Sequence, residues 1–84
     1  MAIKYLVEIS LPAAGKKFDM RIPAMSRMGE IAPLAAVLAA DLSEGSYKAG
    51  RQAVLLNAET GDIYDVDMTA YDQGIRNGSQ LILI

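Results

Sequence analysis

The stretch that most constrains the fold is residues 3–22. "IKYLVEIS" alternates, setting Ile3, Tyr5, Val7 and Ile9 against Lys4, Leu6, Glu8 and Ser10. A period of two is the pattern of a strand with one buried face. "KFDMRI" repeats it, with Phe18, Met20 and Ile22 against Lys17, Asp19 and Arg21. The short link between the runs contains Pro12 and Gly15, both turn formers, so the two runs read as an antiparallel hairpin. A hairpin alone is marginal in water and needs a second layer to cover its apolar face.

The following segment can supply that layer. Pro23 ends the second run, and Ser26 is the expected helix N-cap. From Met28 to Leu42 apolar residues recur at three and four: Met28, Ile31, Leu34 or Ala35, Leu38, Leu42. The Ala-rich composition suits a helix. Pro33 is discordant: it has no N–H to give residue 29 and crowds that carbonyl, so a kink or an irregular start is expected, with Gly29 easing the crowding. "RQAVLLN" (51–57) reads as a third strand and "IYDV" as a short fourth. "DMTAYDQG" reads as a single helical turn capped by Thr69. Asn77-Gly78 is a tight-turn signal because both residues tolerate positive φ, and "QLILI" is the last strand.

Hairpin, helix, strand, short strand, helical turn and strand, in one domain spanning 1–84, predict an α+β fold. One main helix lies across one face of a mixed four- to five-stranded sheet. The last strand most economically returns beside the first, in parallel, which is the β-grasp arrangement. Met28, Ile31, Leu34 and Leu38 are expected to pack on Tyr5, Val7, Met20, Ile22, Val54, Leu56, Ile75, Leu81 and Leu83.

Composition removes most chemistries. The chain has neither cysteine nor histidine, which excludes disulfides, thiolate catalysis, iron–sulfur clusters, Cys-based zinc sites and His-dependent triads. Ser10, Ser26, Ser43, Ser46 and Ser79 therefore have no imidazole to activate them, and Lys4, Lys16, Lys17 and Lys48 read as solvated surface rather than as nucleophiles. Asp62, Asp65, Asp67 and Asp72 crowd one region, but their spacing is not that of a calcium loop, and solvated or turn-capping roles are expected, Asp72 among the caps. Gly74, Asn77 and Gly78 do not make a phosphate loop. No cofactor, no metal and no enzyme activity is expected. With a net charge of −2 and no basic stripe, nucleic acid is not an expected partner. The near-apolar run Ile31–Ala40 is too short to span a bilayer, and Lys4 and Glu8 interrupt the first apolar stretch, which reads as a strand rather than a signal peptide. A cytoplasmic location is the expectation.

Three pieces resemble ubiquitin: "MAIKYLVEI", "KFDMRIP" with the helix after it, and "TAYDQGIRNGSQLILI". In the last, Ile75, Gly78 and Leu81 match the buried residue, the positive-φ position and the central strand. More narrowly, "FDMRIP" and the D-x-G-I-x-N-G-x-x-L pattern of residues 72–81 resemble the YukD-like family, the small ubiquitin-like proteins of bacterial type VII secretion. The resemblance covers nearly the whole chain, with departures around Glu59–Asp62 and at Pro33. It implies a protein-binding accessory or regulatory component working at the cytoplasmic side of the secretion machinery. It also implies a rival, a ubiquitin-like modifier or sulfur carrier. Such proteins need a terminal Gly-Gly tail, and here no glycine follows Gly78, so conjugation through Ile84 is not expected.

The expected binding site follows from the alternation. If Leu81 and Leu83 face the helix, Ile82 and Ile84 face away, and Leu6 and Leu55 are assigned to the same outer face. A contiguous exposed apolar patch usually marks an interaction site. Leu6, Leu55, Ile82 and Ile84 are accordingly the candidate protein-binding residues, with a second copy of the chain as the other occupant considered.

Overall fold

The computed structural model describes residues 3–45, 47 and 53–84. Strand β1 (Lys4–Leu11) and strand β2 (Lys16–Pro23) form the hairpin, in register from Lys4↔Pro23 to Leu11↔Lys16. A 3-10 turn at Pro12–Ala14 joins them. Gly15 closes it at φ 63°, its N–H donating to the Pro12 carbonyl at 3.2 Å. After helix α1 (Met28–Leu42) come β3 (Leu55–Asn57) and β4 (Gln80–Leu83). The sheet order is β2-β1-β4-β3, with β4 parallel to β1 and antiparallel to β3. This is the β-grasp topology, with the last strand at the centre as the element order predicts. The part of the third predicted strand at Arg51 and Gln52 lies outside the described residues, as do Ser46 and Lys48. The predicted fourth strand reduces to a bridge between Leu56 and Ile63, flanked by Asn57 N–H to Asp62 O (2.8 Å) and Tyr64 N–H to Leu55 O (3.0 Å).

The alternation of β1 and β4 is realised: Tyr5, Val7, Ile9, Leu11, Leu81 and Leu83 are buried under the helix. Ile22 and Ile75 join them, while Phe18 and Met20 pack at the margin. Ile9 pairs with Leu81, so two fully buried side chains meet on the central strands. Their size decides the helix face. The buried residues of α1 are Met28, Ile31, Ala32, Ala35, Ala36 and Ala39. A close-packed interior has little spare volume, and above a face already filled by large side chains the middle of the helix contributes alanines. The expected packing of Leu34 and Leu38 is therefore corrected: they are 59% and 46% exposed. Leu42 is exposed as well.

The helix is continuous through Pro33. Its N-cap is Arg27 rather than the predicted Ser26, and no side chain caps it. The first-turn donors find backbone acceptors instead. Met28 N–H donates to Met68 O (3.0 Å) and Gly29 N–H to Val66 O (2.9 Å). Ser26 contributes its carbonyl, which accepts from Ala70 N–H at 3.1 Å. The segment before β4 is thereby fastened to the helix start. It forms turns, in which Thr69 Oγ1 accepts from Asp72 N–H at 3.1 Å, so Asp72 is the capped residue and not the cap. Beyond Ile75 the chain turns at Gly78 (φ 85°), whose N–H donates to Leu6 O at 2.8 Å, while Asn77 Oδ1 accepts from Leu6 N–H at 2.8 Å.

Candidate protein-interaction site

Alternation about the buried residues leaves Leu6, Glu8 and Ser10 of β1 on the outer face of the sheet, opposite Arg21, Asp19 and Lys17 of β2. On β4, Gln80 and Ile82 point the same way, aligned with Glu8 and Ser10. On β3, Leu56 faces Ile82. The register extends one step, because Val54 and Ile84 exchange both backbone hydrogen bonds, at 3.1 and 3.0 Å.

Leu55 does not belong to this face. It pairs with the buried Leu83 and is 3% exposed, so the sequence assignment of β3 is out of phase by one residue. A one-residue shift exchanges the two faces of a strand. Leu56 takes the outer position assigned to Leu55, and Leu55 takes the inner position assigned to Val54 and Leu56. Residues 53–56 are apolar without a break, so alternation gives no phase there, and the turn at Asn57 gives none either.

The outer face divides in two. Over β3 and β4, Leu56 and Ile82 are half-buried and Ile84 is 57% exposed, forming an apolar cluster with Val54 at its border. Over β1 and β2 the face is charged. Lys17 Nζ lies 3.7 Å from Glu8 Oε1, both side chains well exposed, a pair that contributes little stability. Leu6 is exposed on the charged half, beside Arg21 and the Asn77–Gly78 turn. The row of Glu8 and Gln80 lies between it and Ile82, so the four expected residues do not form one patch. An open depression of about 500 Å³ runs along that row, lined by Leu6, Glu8, Asp19, Asn77, Gly78 and Gln80.

The acidic region is accounted for by turns. Asp65 Oδ1 accepts from Asp67 N–H at 2.9 Å, and Asp62 N–H donates to Thr60 Oγ1 at 3.2 Å. Among the described residues no three acidic groups converge in a way that could hold a metal ion. Tyr64 has its phenol pKa raised, by burial first and by the nearby Glu59 carboxylate second. Among the described residues, no helix is long and apolar enough to cross a membrane.

Comparison of the fold with solved structures gives close likenesses. The ubiquitin-like domain of the Mycobacterium tuberculosis type VII secretion system protein EccD1 superposes with a TM-score of 0.77 at 16% identity, covering 98% of each chain. The EccD5 ubiquitin-like domain from Mycobacterium xenopi gives 0.77 at 17%, covering 98% of this chain and 93% of that one. A chain of a toluene 4-monooxygenase complex with inhibitor also gives 0.77, at 12% identity and 96% coverage of both. No protein-family model matches the sequence, and no curated protein matches it. The fold is therefore ubiquitin-like. At these identities the likeness speaks for the fold alone.

Proposed function

We propose that the chain is a non-catalytic, ubiquitin-like protein-interaction module of the YukD-like kind. It serves as an accessory or regulatory component of a bacterial type VII secretion system and binds a protein on the cytoplasmic side of that machinery. The observation that carries this reading is the apolar outer face of β3 and β4, where half-buried Leu56 and Ile82 lie beside the exposed Ile84. Exposed apolar residues scattered singly mean little, whereas a cluster on a two-sided sheet is an interaction surface. Leu6 contributes from the edge of the contact. Leu55 acts through the core that holds β3 in place. The ubiquitin-like domains of type VII secretion proteins among the structural neighbours support the choice of system.

The test uses purified cytoplasmic domains of type VII secretion membrane components as probes. The wild-type chain is expected to bind one of them, and Leu56→Asp combined with Ile84→Asp to weaken that binding at least about tenfold, a loss of about 1.4 kcal/mol. Ile82→Thr, which preserves the β-branch, is the milder companion. Circular dichroism should show all variants folded. Failure to bind any component overturns the proposed system. Undiminished binding by the double variant overturns the proposed face. Sedimentation as a dimer that the variant breaks would assign the face to a second copy.

A further inference from the structure

Helix α1 buries Met28 and Ile31 but carries its other large aliphatic side chains on the side away from the core. Leu34 is 59% exposed and Val37 60%, with Leu38 and Leu42 on the shoulder of the same stripe. At about 100° per residue, Glu30, Leu34, Val37 and Asp41 fall within about 60° of arc. The stripe therefore has an apolar centre and a carboxylate at each end, the two about 16 Å apart along the axis. Glu44 adds a third exposed acid just past the helix.

Within the helix the charges on this face are of one sign, the exposed Arg27 standing just before it at the N-cap. Residues 28–42 contain Glu30 and Asp41 and no lysine or arginine. Among the described residues the ion pair found is Lys17–Glu8, on the outer face of the sheet, so neither helix acid is paired. Lys16 approaches the end of the helix, but its ammonium donates to the Leu42 carbonyl at 3.2 Å.

This pattern selects among occupants. Two copies packed through α1 in parallel would set Glu30 against Glu30 and Asp41 against Asp41. Packed antiparallel, Glu30 would meet Asp41. Both arrangements oppose like charges beside the apolar contact, which disfavours self-pairing and favours a partner of opposite sign. We propose that the outer face of α1 docks a basic amphipathic helix of another protein, with Leu34, Val37 and Leu38 against its apolar stripe and Glu30 and Asp41 against its lysines or arginines. An amphipathic helix laid along an apolar strip is a recurring recognition mode, anchored at i, i+3/i+4 and i+7. The surface lies across the molecule from the outer sheet face and does not depend on the use of that face.

The probe is a synthetic amphipathic peptide of about 18 residues, long enough to form a helix on contact. It carries leucines at helical spacing and lysines about 11 residues apart, to match the acids along the axis. A matched peptide carries glutamates in place of the lysines. Titration at low salt, followed by backbone amide shifts, should place the basic peptide on α1. The acidic peptide should bind about tenfold more weakly, as expected from two exposed charge pairs. Leu34→Gln with Leu38→Gln should cost the basic peptide about tenfold in affinity without changing the circular dichroism spectrum. Glu30→Lys with Asp41→Lys should invert the preference, so that the acidic peptide binds better. That inversion decides the matter even if the leucine variant folds poorly. Equal affinity for both peptides, shifts confined to the sheet, or a preference that survives charge reversal would each overturn the proposal. So would a concentration-dependent dimer abolished by the glutamine substitutions, since it would assign this face to a second copy.

Discussion

Gly29 shows how a single position can obey two opposing rules. It lies in the first turn of α1, where alanine is favoured over glycine by about 1 kcal/mol. A Cβ built there would stand 2.9 Å from the Val66 carbonyl oxygen and 3.3 Å from Val66 Cβ. That oxygen also accepts the Gly29 N–H, so it cannot withdraw without breaking the helix cap. Overpacking of this kind costs about 1–3 kcal/mol. Gly29→Ala is therefore expected to destabilise the protein despite its better propensity, lowering the thermal midpoint by several degrees. A raised midpoint would mean that Val66 does not hold this close approach. In the sequence Gly29 explains itself only as a relief for Pro33, because the residue that crowds it is 37 positions away. Asn77 is similar. Its turn role is legible from Asn-Gly, but its carboxamide as acceptor for Leu6 N–H, across 71 residues, is not.

Elements were legible in existence and less so in phase. β1 and β2 alternate large apolar with polar or outward residues over enough length to fix which side is buried, and the structure follows them; β4 is apolar from Leu81 to Ile84, so its phase comes from the ubiquitin-like pattern of residues 72–81, which places Leu81 on the central strand. α1 presents two competing stripes. One runs through the bulky residues Met28, Ile31, Leu34, Leu38 and Leu42; the other shares Met28 and Ile31 and then runs through Ala32, Ala35 and Ala39. Choosing by hydrophobic size selects the first. The structure takes the second, because depth available above the sheet, and not side-chain apolarity alone, sets what fits. The distinction is measurable. Leu81→Ala, at a site with no exposed surface, is expected to cost about 2–5 kcal/mol. Leu38→Ala, nearly half exposed, is expected to cost under about 1 kcal/mol. Ala35→Leu, though more apolar, should destabilise by about 1–3 kcal/mol, because Ala35 is fully buried. Urea titration of the three variants checks the order, and comparable losses for Leu38→Ala and Leu81→Ala would return the helix to the bulky-residue face. The candidate interaction site inherited the same weakness. Its β4 residues were placed by the pattern of residues 72–81, whereas its β3 residue was displaced by one because the unbroken apolar run 53–56 carries no alternation and no such pattern covers it.

At the scale of the whole molecule, the long segment between β3 and β4 does more than connect. Tyr64 rests partly buried against the core, and its phenol is held above the ordinary value near 10, by burial and then by Glu59. A raised folded-state pKa contributes stability that is fully present below the unfolded pKa and is lost as pH rises through the folded value. Denaturation free energy should therefore fall as pH passes above about 10, with a shallower fall in Tyr64→Phe. Identical alkaline slopes would show that Tyr64 titrates alike in both states. The same segment then caps the helix. Gln73 clasps it from inside: its Oε1 accepts Asp65 N–H at 2.6 Å, and its Nε2 donates to Asp65 O at 3.0 Å and Met68 O at 3.3 Å. Those contacts shape the 65–68 turn that presents the Val66 and Met68 carbonyls to Gly29 and Met28. If the turn opens as a local unit, its opening free energy governs hydrogen exchange at the two helix amides. Gln73→Ala removes hydrogen bonds worth about 0.5–1.5 kcal/mol each. Exchange at Met28 and Gly29 should accelerate about tenfold, while the Glu8 amide, bonded to Ser79 O in the centre of the sheet, keeps its protection. Acceleration by the same factor at all three amides would show that the turn opens only when the whole domain does, and that the helix start has no separate latch.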